Sequence, residues 1–491
     1  MSITRKVAHN TIYQFIGKIV GTILALITAA MMLRYLGQEG FGEYTTIIGF
    51  LSIFSILADL GLYLVTTKEI SRDDTDDSHI ISNAFTIKLI FSVFILVLAP
   101  VVGFFFPYSQ IVKWGIVIGA ASFLFILLNQ VLIGIFQKHF RMERVAIAEV
   151  AGRIVWLLGV IIAVKLSLSL LWIVGFIALS NFVNFTLVYF FARKHVTINL
   201  RFDFATWKYL MKIALPLALS VVLNLVYFKL DTVMLSVMKP ATDVGIYGAA
   251  YKVLESLITF AAIFAGILLP LLARYAVSDP ARFARIYKKG FDVLSIFIVP
   301  LIVGTVFLAH DIMVLFGGED FAASSVVLQI LIFAVGAIFF AHLFGNTVVA
   351  INQQRKIVWI YFSSAVISVV LNLLLIPRFT YFGAAITTVI TEAVVFAGTL
   401  WVVWRIKKLF PSLRVFGKAL VASLCMGAVL YLLPVFPFSF IANRTLASFF
   451  TLLVPAVIAG TVYFIILYLL KGISKDIVKE VISFKKEEKN A

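Results

Sequence analysis

Apolar runs of about twenty residues recur along the whole chain, separated by short polar segments. A helix needs roughly 20 apolar residues to cross the hydrocarbon layer of a bilayer, which is about 30 Å thick. The pattern therefore predicts about fourteen transmembrane helices, at 11–33, 43–66, 82–106, 112–136, 145–164, 170–191, 211–237, 247–272, 290–309, 325–350, 357–377, 382–404, 419–436 and 446–469. The first run is longer than a signal-peptide core and carries Lys18, so it reads as a retained helix.

Composition agrees with an all-α membrane protein. Of 491 residues 62% are hydrophobic and 13% charged, with mean hydropathy +1.07, too few charges to coat a soluble surface of this size. A net charge of +17 raises the question of nucleic acid. Placement answers it: with the N-terminus inside, and with Lys113 and Lys212 at the very ends of spans counted with the segments beside them, thirty of the 41 lysines and arginines fall in inner segments, six in outer segments, and five (Lys18, Lys88, Arg153, Lys229 and Lys252) within spans. That asymmetry orients a multi-pass protein with both termini on the cytoplasmic side, in contact with lipid and not nucleic acid. Outer loops are short, the longest near 310–324, leaving no room for an exterior catalytic domain of a glycan polymerase or ligase. One cysteine, Cys425, and six dispersed histidines support neither a disulfide framework nor a metal centre, and no nucleophile triad is evident. The expectation is a transporter, not an enzyme, with no cofactor beyond a coupling proton or sodium ion.

An internal repeat divides the spans. Gly42 and Tyr44 after the first span match Gly245 and Tyr247 after the seventh at an offset of 203, and Asn129 with Gln137 match Asn346 with Gln354 at 217. The drift fits an insertion after His310. Helices 1–6 and 7–12 thus read as parallel copies: an N-lobe over 1–200, a C-lobe over 201–404, two further helices over 405–470 and a tail over 471–491. Parallel repeats of this kind place a substrate path between two bundles.

Residues Arg34, Leu36, Gly37, Gly40, Gly42 and Tyr44, then Leu210, Pro216, Asp231, Gly245 and Tyr247, occur in an order that resembles the polysaccharide transporter (Wzx-type) branch of the multidrug, oligosaccharidyl-lipid and polysaccharide exporter superfamily. The run Asn372 to Pro377 followed by Gly383, Ala384 and Ala385 extends the likeness. The resemblance implies a MATE-like fold and a flippase that carries a polyprenyl phosphate or diphosphate bearing a sugar chain to the outer leaflet by alternating access. Glycan-assembly proteins are candidate partners. It also implies a lateral portal lined by helices 1 and 8. A cation-coupled multidrug exporter is the alternative, but multidrug members often carry an aspartate in helix 1, where this chain has Lys18 and no acid.

Charges inside spans are the candidate site, because each is expensive in lipid. Lys18 lies about 10 Å into helix 1, on a stripe with Asn10, Gln14, Gly17, Gly21 and Thr28. It reads either as a phosphate contact beside Gln14 or as a snorkelling residue on a helix packed through glycines. Lys252 with Glu255 and Lys229 with Asp231 read as further contacts or as locally paired charges, and Arg153 as a phosphate ligand or the i+4 partner of Glu149. Asp59 and Glu392 lack an obvious local partner, which makes them, with Asp231 and Glu255, candidates for ion coupling. Lys88 reads as snorkelling and Asp292 as a helix-start acid. The Asp73–Asp77 cluster reads as a solvated turn, not a magnesium site, and the Asn443 sequon as chance.

Overall fold

The structure is a computed structural model. It describes residues 3–59, 61–72, 76–432 and 444–472, with side chains except those of 3–12, 216–227 and 444–448. Asp73 to Thr75, Asn443 and the tail from 473 onward lie outside the described residues, as do the side chains of Asn10, Pro216 and Arg444.

Thirteen α-helices and no strand occur among the described residues: α1 (Ile3–Asp59), α2 (Leu62–Ile70), α3 (Asp77–Phe104), α4 (Gln110–Lys138), α5 (Met142–Lys165), α6 (Leu170–Ala192), α7 (Phe204–Met238), α8 (Ala241–Ser278), α9 (Pro280–Gly317), α10 (Ser324–Ala350), α11 (Gln354–Lys407), α12 (Leu413–Leu432) and α13 (Arg444–Leu469). At 57 and 54 residues, α1 and α11 would run about 80 Å if straight, well over twice the bilayer core. Each is broken by one non-helical residue, Gly37 (φ 64°) in α1 and Thr380 (φ 51°) in α11. Each therefore supplies two spans.

Eleven helices, those two included, are long and apolar enough to cross a membrane, and α7 adds 35 residues. The total is the fourteen spans that hydropathy predicts, and the chain is a multi-pass membrane protein. The loop expected at 310–324 is shorter than its composition suggests. Helix α9 continues to Gly317, and a single 3-10 turn, Glu319–Phe321, leads into α10. Asp292 is also displaced from its expected place: Asp279 caps α9 by accepting from the Arg282 amide at 2.9 Å, with Pro280 opening the helix, so Asp292 lies twelve residues inside it.

Two compact units emerge, residues 1–248 with 361–384, and residues 249–360 with 385–491. In the first, buried Leu62, Ile81, Ile87, Leu132, Ile135 and Phe136 form a core that α2 to α7 share. In the second, Phe291, Phe340, Phe344 and Phe396 stack at centroid distances of 4.8 to 6.2 Å. The two helices beyond the repeat dock here on α9. Gly427 of α12 lies against Val303 and Phe307, and the Tyr463 hydroxyl of α13 donates to the Ile296 carbonyl at 2.7 Å.

Within the first unit, the glycines of the sequence repeat meet. A Cβ on Gly42 would overlap the Ala241 carbonyl and sit 2.9 Å from the Gly245 nitrogen; a Cβ on Gly245 would overlap the Gln38 carbonyl and sit 3.2 Å from the Gly42 nitrogen. Ala241 is Gln38 displaced by the same 203 residues that relate Gly245 to Gly42. The contact is reciprocal, as at a two-fold interface, where i meets j and j meets i. Gly248 faces Thr45, again 203 apart. Only glycine permits this backbone approach.

The segment between α6 and α7 is not a slack loop. It alternates apolar and polar residues without exception from Val196 to Phe204, the pattern of an extended chain. The amides of Thr197, Asn199 and Arg201 donate to the hydroxyls of Ser78, Ser82 and Thr86 of α3 at 3.1, 3.2 and 3.0 Å. Four residues of helix rise about 6.0 Å and two residues of extended chain about 6.6 Å, so the two ladders stay in step. Asn83 completes the seam, its Oδ1 accepting from the Asp203 amide (3.1 Å) and the Trp207 indole (3.0 Å). Asp203 caps α7 and lies 3.1 Å from the His79 Nε2. Thr206 and its amide neighbours hold the Asp203 carboxyl below the usual carboxylate range.

Candidate functional site: membrane-embedded charges

Gln14, Lys18 and Gly21 recur at helical spacing on one face of α1. Gly17, on the adjoining face, lets α1 approach α5, since a Cβ there would stand 2.6 Å from the Ala146 Cβ. That approach sets Lys18 Nζ 3.4 Å from Glu149 Oε1, with 46% of the lysine side chain and 27% of the glutamate exposed. Glu149 thus turns to Lys18, not to Arg153 as the i+4 spacing suggests. The Arg153 guanidinium instead lies 5.8 Å from the Trp156 ring, and among the described residues no acid stands within ion-pair distance of it. Glu149 is thus taken by Lys18, and Arg153, one turn along α5, adds a positive charge to the same stretch that no described acid offsets at ion-pair distance. Gln14 is exposed on the same α1 face.

The pairs differ in what separating them would require. Lys18–Glu149 is long, at 3.4 Å, and both side chains are partly accessible. It can exchange Glu149 for a ligand oxygen with little loss. Lys252 and Glu255 of α8 form the expected i, i+3 pair at 3.1 Å with side chains 31% and 29% exposed, and are exchangeable on the same grounds.

Asp59 and Lys88 contrast with these. Lys88 is wholly buried and does not snorkel; its ammonium donates to Asp59 Oδ1, to the Asp59 carbonyl at 3.0 Å and to Gln130 Oε1 at 3.4 Å. Asp59 therefore has a partner that sequence does not suggest, because the α1 terminus folds against α3. Breaking such a pair strands a buried charge. In α7, Asp231 is 3% exposed and its Oδ2 accepts from the buried Tyr247 hydroxyl at 2.9 Å, tying α7 to the start of α8. Lys229 lies over the Phe228 ring at 5.9 Å. Glu392 is buried in α11, 2% exposed. Lys18, Arg153, Lys229, Asp59 and Asp231 lie in the first unit, and Lys252, Glu255 and Glu392 in the second.

One carboxylate in an apolar run now joins the candidates. Asp292 has a buried Oδ1 without a hydrogen-bond partner among the described residues. Its signal was its place in an apolar run, masked by a helix start set too late. The acidic turn is structural where described: Asp76 caps α3 by accepting from the His79 amide at 3.1 Å, and Asp77 pairs with Lys138 at 2.7 Å. No group of metal-binding side chains occurs among the described residues.

Comparison with known proteins places these features. The polysaccharide biosynthesis protein family model matches residues 7–276, and the MatE family model residues 216–374. The probable low-salt glycan biosynthesis flippase Agl15 of Haloferax volcanii is 22% identical over 393 residues, 79% of this chain and 81% of that protein. The capsular polysaccharide biosynthesis protein CapF of Staphylococcus aureus is 22% identical over 390 residues, 78% of this chain and 96% of CapF. Among solved structures, the lipid II flippase MurJ in an inward closed conformation superposes with TM-score 0.75 at 16% identity, covering 96% of this chain and all of MurJ. An inward-facing MATE multidrug transporter superposes at 0.64 with 15% identity over 81% of this chain and 98% of its own. With a match across more than half its length, the chain belongs to the polysaccharide biosynthesis protein family.

Proposed function

We propose that this protein is a flippase that moves a polyprenyl phosphate- or diphosphate-linked oligosaccharide from the inner to the outer leaflet of a prokaryotic plasma membrane. The observation that carries the reading is the long, partly accessible Lys18–Glu149 pair inside a span, with Arg153 one turn along α5 and outside ion-pair distance of any described acid. The fold shared with MurJ and the likeness to a protein named as a glycan biosynthesis flippase support it.

In this reading residues 1–200 and 201–404 act as two lobes, with both termini inside, and the substrate phosphate displaces Glu149 from Lys18 near the inner leaflet. Lys252 takes the same part later, releasing Glu255. The sugar headgroup moves without covalent chemistry. Asp231, Glu255, Glu392 and Asp292 are candidates for proton or sodium coupling, whereas Asp59 is committed to Lys88.

Purified protein in vesicles carrying a fluorescent polyprenyl diphosphate sugar tests the proposal, with and without a proton or sodium gradient. Protection of the label from an external quencher should change only in protein-containing vesicles, and Lys18→Ala should slow that change. Equal rates with and without protein would overturn the proposal. Gradient-driven export of cationic dyes in place of lipid would favour the MATE-like alternative, to which the MatE match at 216–374 lends weight.

A further inference from the structure

The face of α1 turned away from Gln14 and Lys18 borders an open groove of about 960 Å³. Tyr13, Ile16, Gly17 and Val20 form one wall, and Ala146, Ile147, Val150 and Ile154 of α5 the other. From Glu143 to Ile154 the α5 wall rises about 16 Å, close to half the hydrocarbon thickness of a bilayer. Beyond Glu143 the walls are apolar. One end is different: Tyr13, Phe140 and Arg141 line it, with 56% of the Arg141 side chain exposed. Phenol, phenyl and guanidinium are the side chains that sit at the headgroup level of a membrane.

We propose that this groove binds one anionic phospholipid of the inner leaflet, with an acyl chain between α1 and α5 and the phosphate on Arg141. Arg141 offers five N–H donors, and Glu143 engages it only at 3.4 Å, so most of the guanidinium fork is open to a phosphate. A single leaflet's depth suits an acyl chain and is too short for a polyprenyl tail. His139 supplies no second donor in its neutral form, since its Nδ1 donates to the Ile135 carbonyl at 2.9 Å and its ring stacks on His195 at 4.5 Å. Arg141 is the one arginine or lysine among the described residues lining the groove, and Glu143 engages it at a single long contact.

The site stands independently of the flippase reading. Lys18 and Glu149 do not line it, so α1 would present a fixed lipid on one face and exchangeable charge on the other.

Native mass spectrometry of the full chain tests this, titrating phosphatidylglycerol, phosphatidylcholine of the same acyl length and undecaprenyl phosphate. Phosphatidylglycerol should bind most tightly. Arg141→Gln should weaken it about fivefold, as expected for one basic contact near a membrane surface. Ile147→Trp, at a position 58% exposed and so free of packing demands, should block the groove and lower occupancy of every phospholipid. Equal affinity for the two phospholipids, preferred binding of undecaprenyl phosphate, or wild-type binding by both variants would each overturn the proposal.

Discussion

Gly42 and Gly245, 203 residues apart in the chain, touch backbone to backbone. Under the proposed orientation the contact closes the outer ends of α8 and of the α1 segment beyond Gly37. Alternating access then requires that it open. Gly248 and Thr45 lie beside it, a Cβ on the glycine standing 3.2 Å from the Thr45 Cβ, near the span of a disulfide. In a Cys425→Ser background, Thr45→Cys with Gly248→Cys should cross-link on oxidation and stop flipping, and reductant should restore it. Full activity in quantitatively cross-linked protein would show that the contact does not open.

Lys18 and Glu149 should behave unequally. Lys18→Ala removes a charge-assisted contact of about 1.5–3 kcal/mol, a loss of roughly ten- to a hundredfold in flipping rate. Glu149→Gln removes a competitor for the lysine and should leave or raise substrate affinity. Rates and affinities in vesicles separate the two; equal losses would make the pair a structural unit.

Lys88→Ala leaves the partly buried Asp59 without its ammonium and should destabilise the fold by up to about 3–5 kcal/mol. The double variant Asp59→Leu, Lys88→Met should recover most of that loss in thermal unfolding. If it also flips with normal gradient dependence, Asp59 has no part in coupling.

Asp203 makes the seam along α3 sensitive to acid. Its folded pKa is lowered, first by the Thr206 hydroxyl, so its contribution is present above the unfolded carboxylate value and is lost as pH falls through the folded one. Amide exchange at Thr197, Asn199 and Arg201, corrected for intrinsic rate, should accelerate below about pH 4. Asp203→Asn should flatten that profile.

Helix number and the paired motifs were legible because hydropathy and a fixed offset are local records of the fold. Charge pairing was not. Glu149 has a cation at i+4, yet close approach at Gly17 brings it one from 131 residues away. Asp59 looks solitary until α2 turns the chain and brings Lys88 alongside. Asp292 was misjudged because a helix that extends beyond the membrane starts before its apolar run does. The alternation at 196–204 was plainly present, but a period of two among long helices signals an extended chain only when something supplies its partners. Here those partners are hydroxyls and not a strand.

That seam has a consequence for how this stretch of chain can vary in length. Ordinary surface loops accept insertions of any size at small entropic expense. Between Thr197 and Arg201, one added residue would turn the following amides away from their hydroxyls and expose the apolar side chains, as a one-residue slip does in a sheet. Two added residues would restore the alternation but carry Arg201 a full helical turn beyond Thr86. The segment joining α6 to α7 is thus tuned in length as well as in composition, a ruler laid along α3.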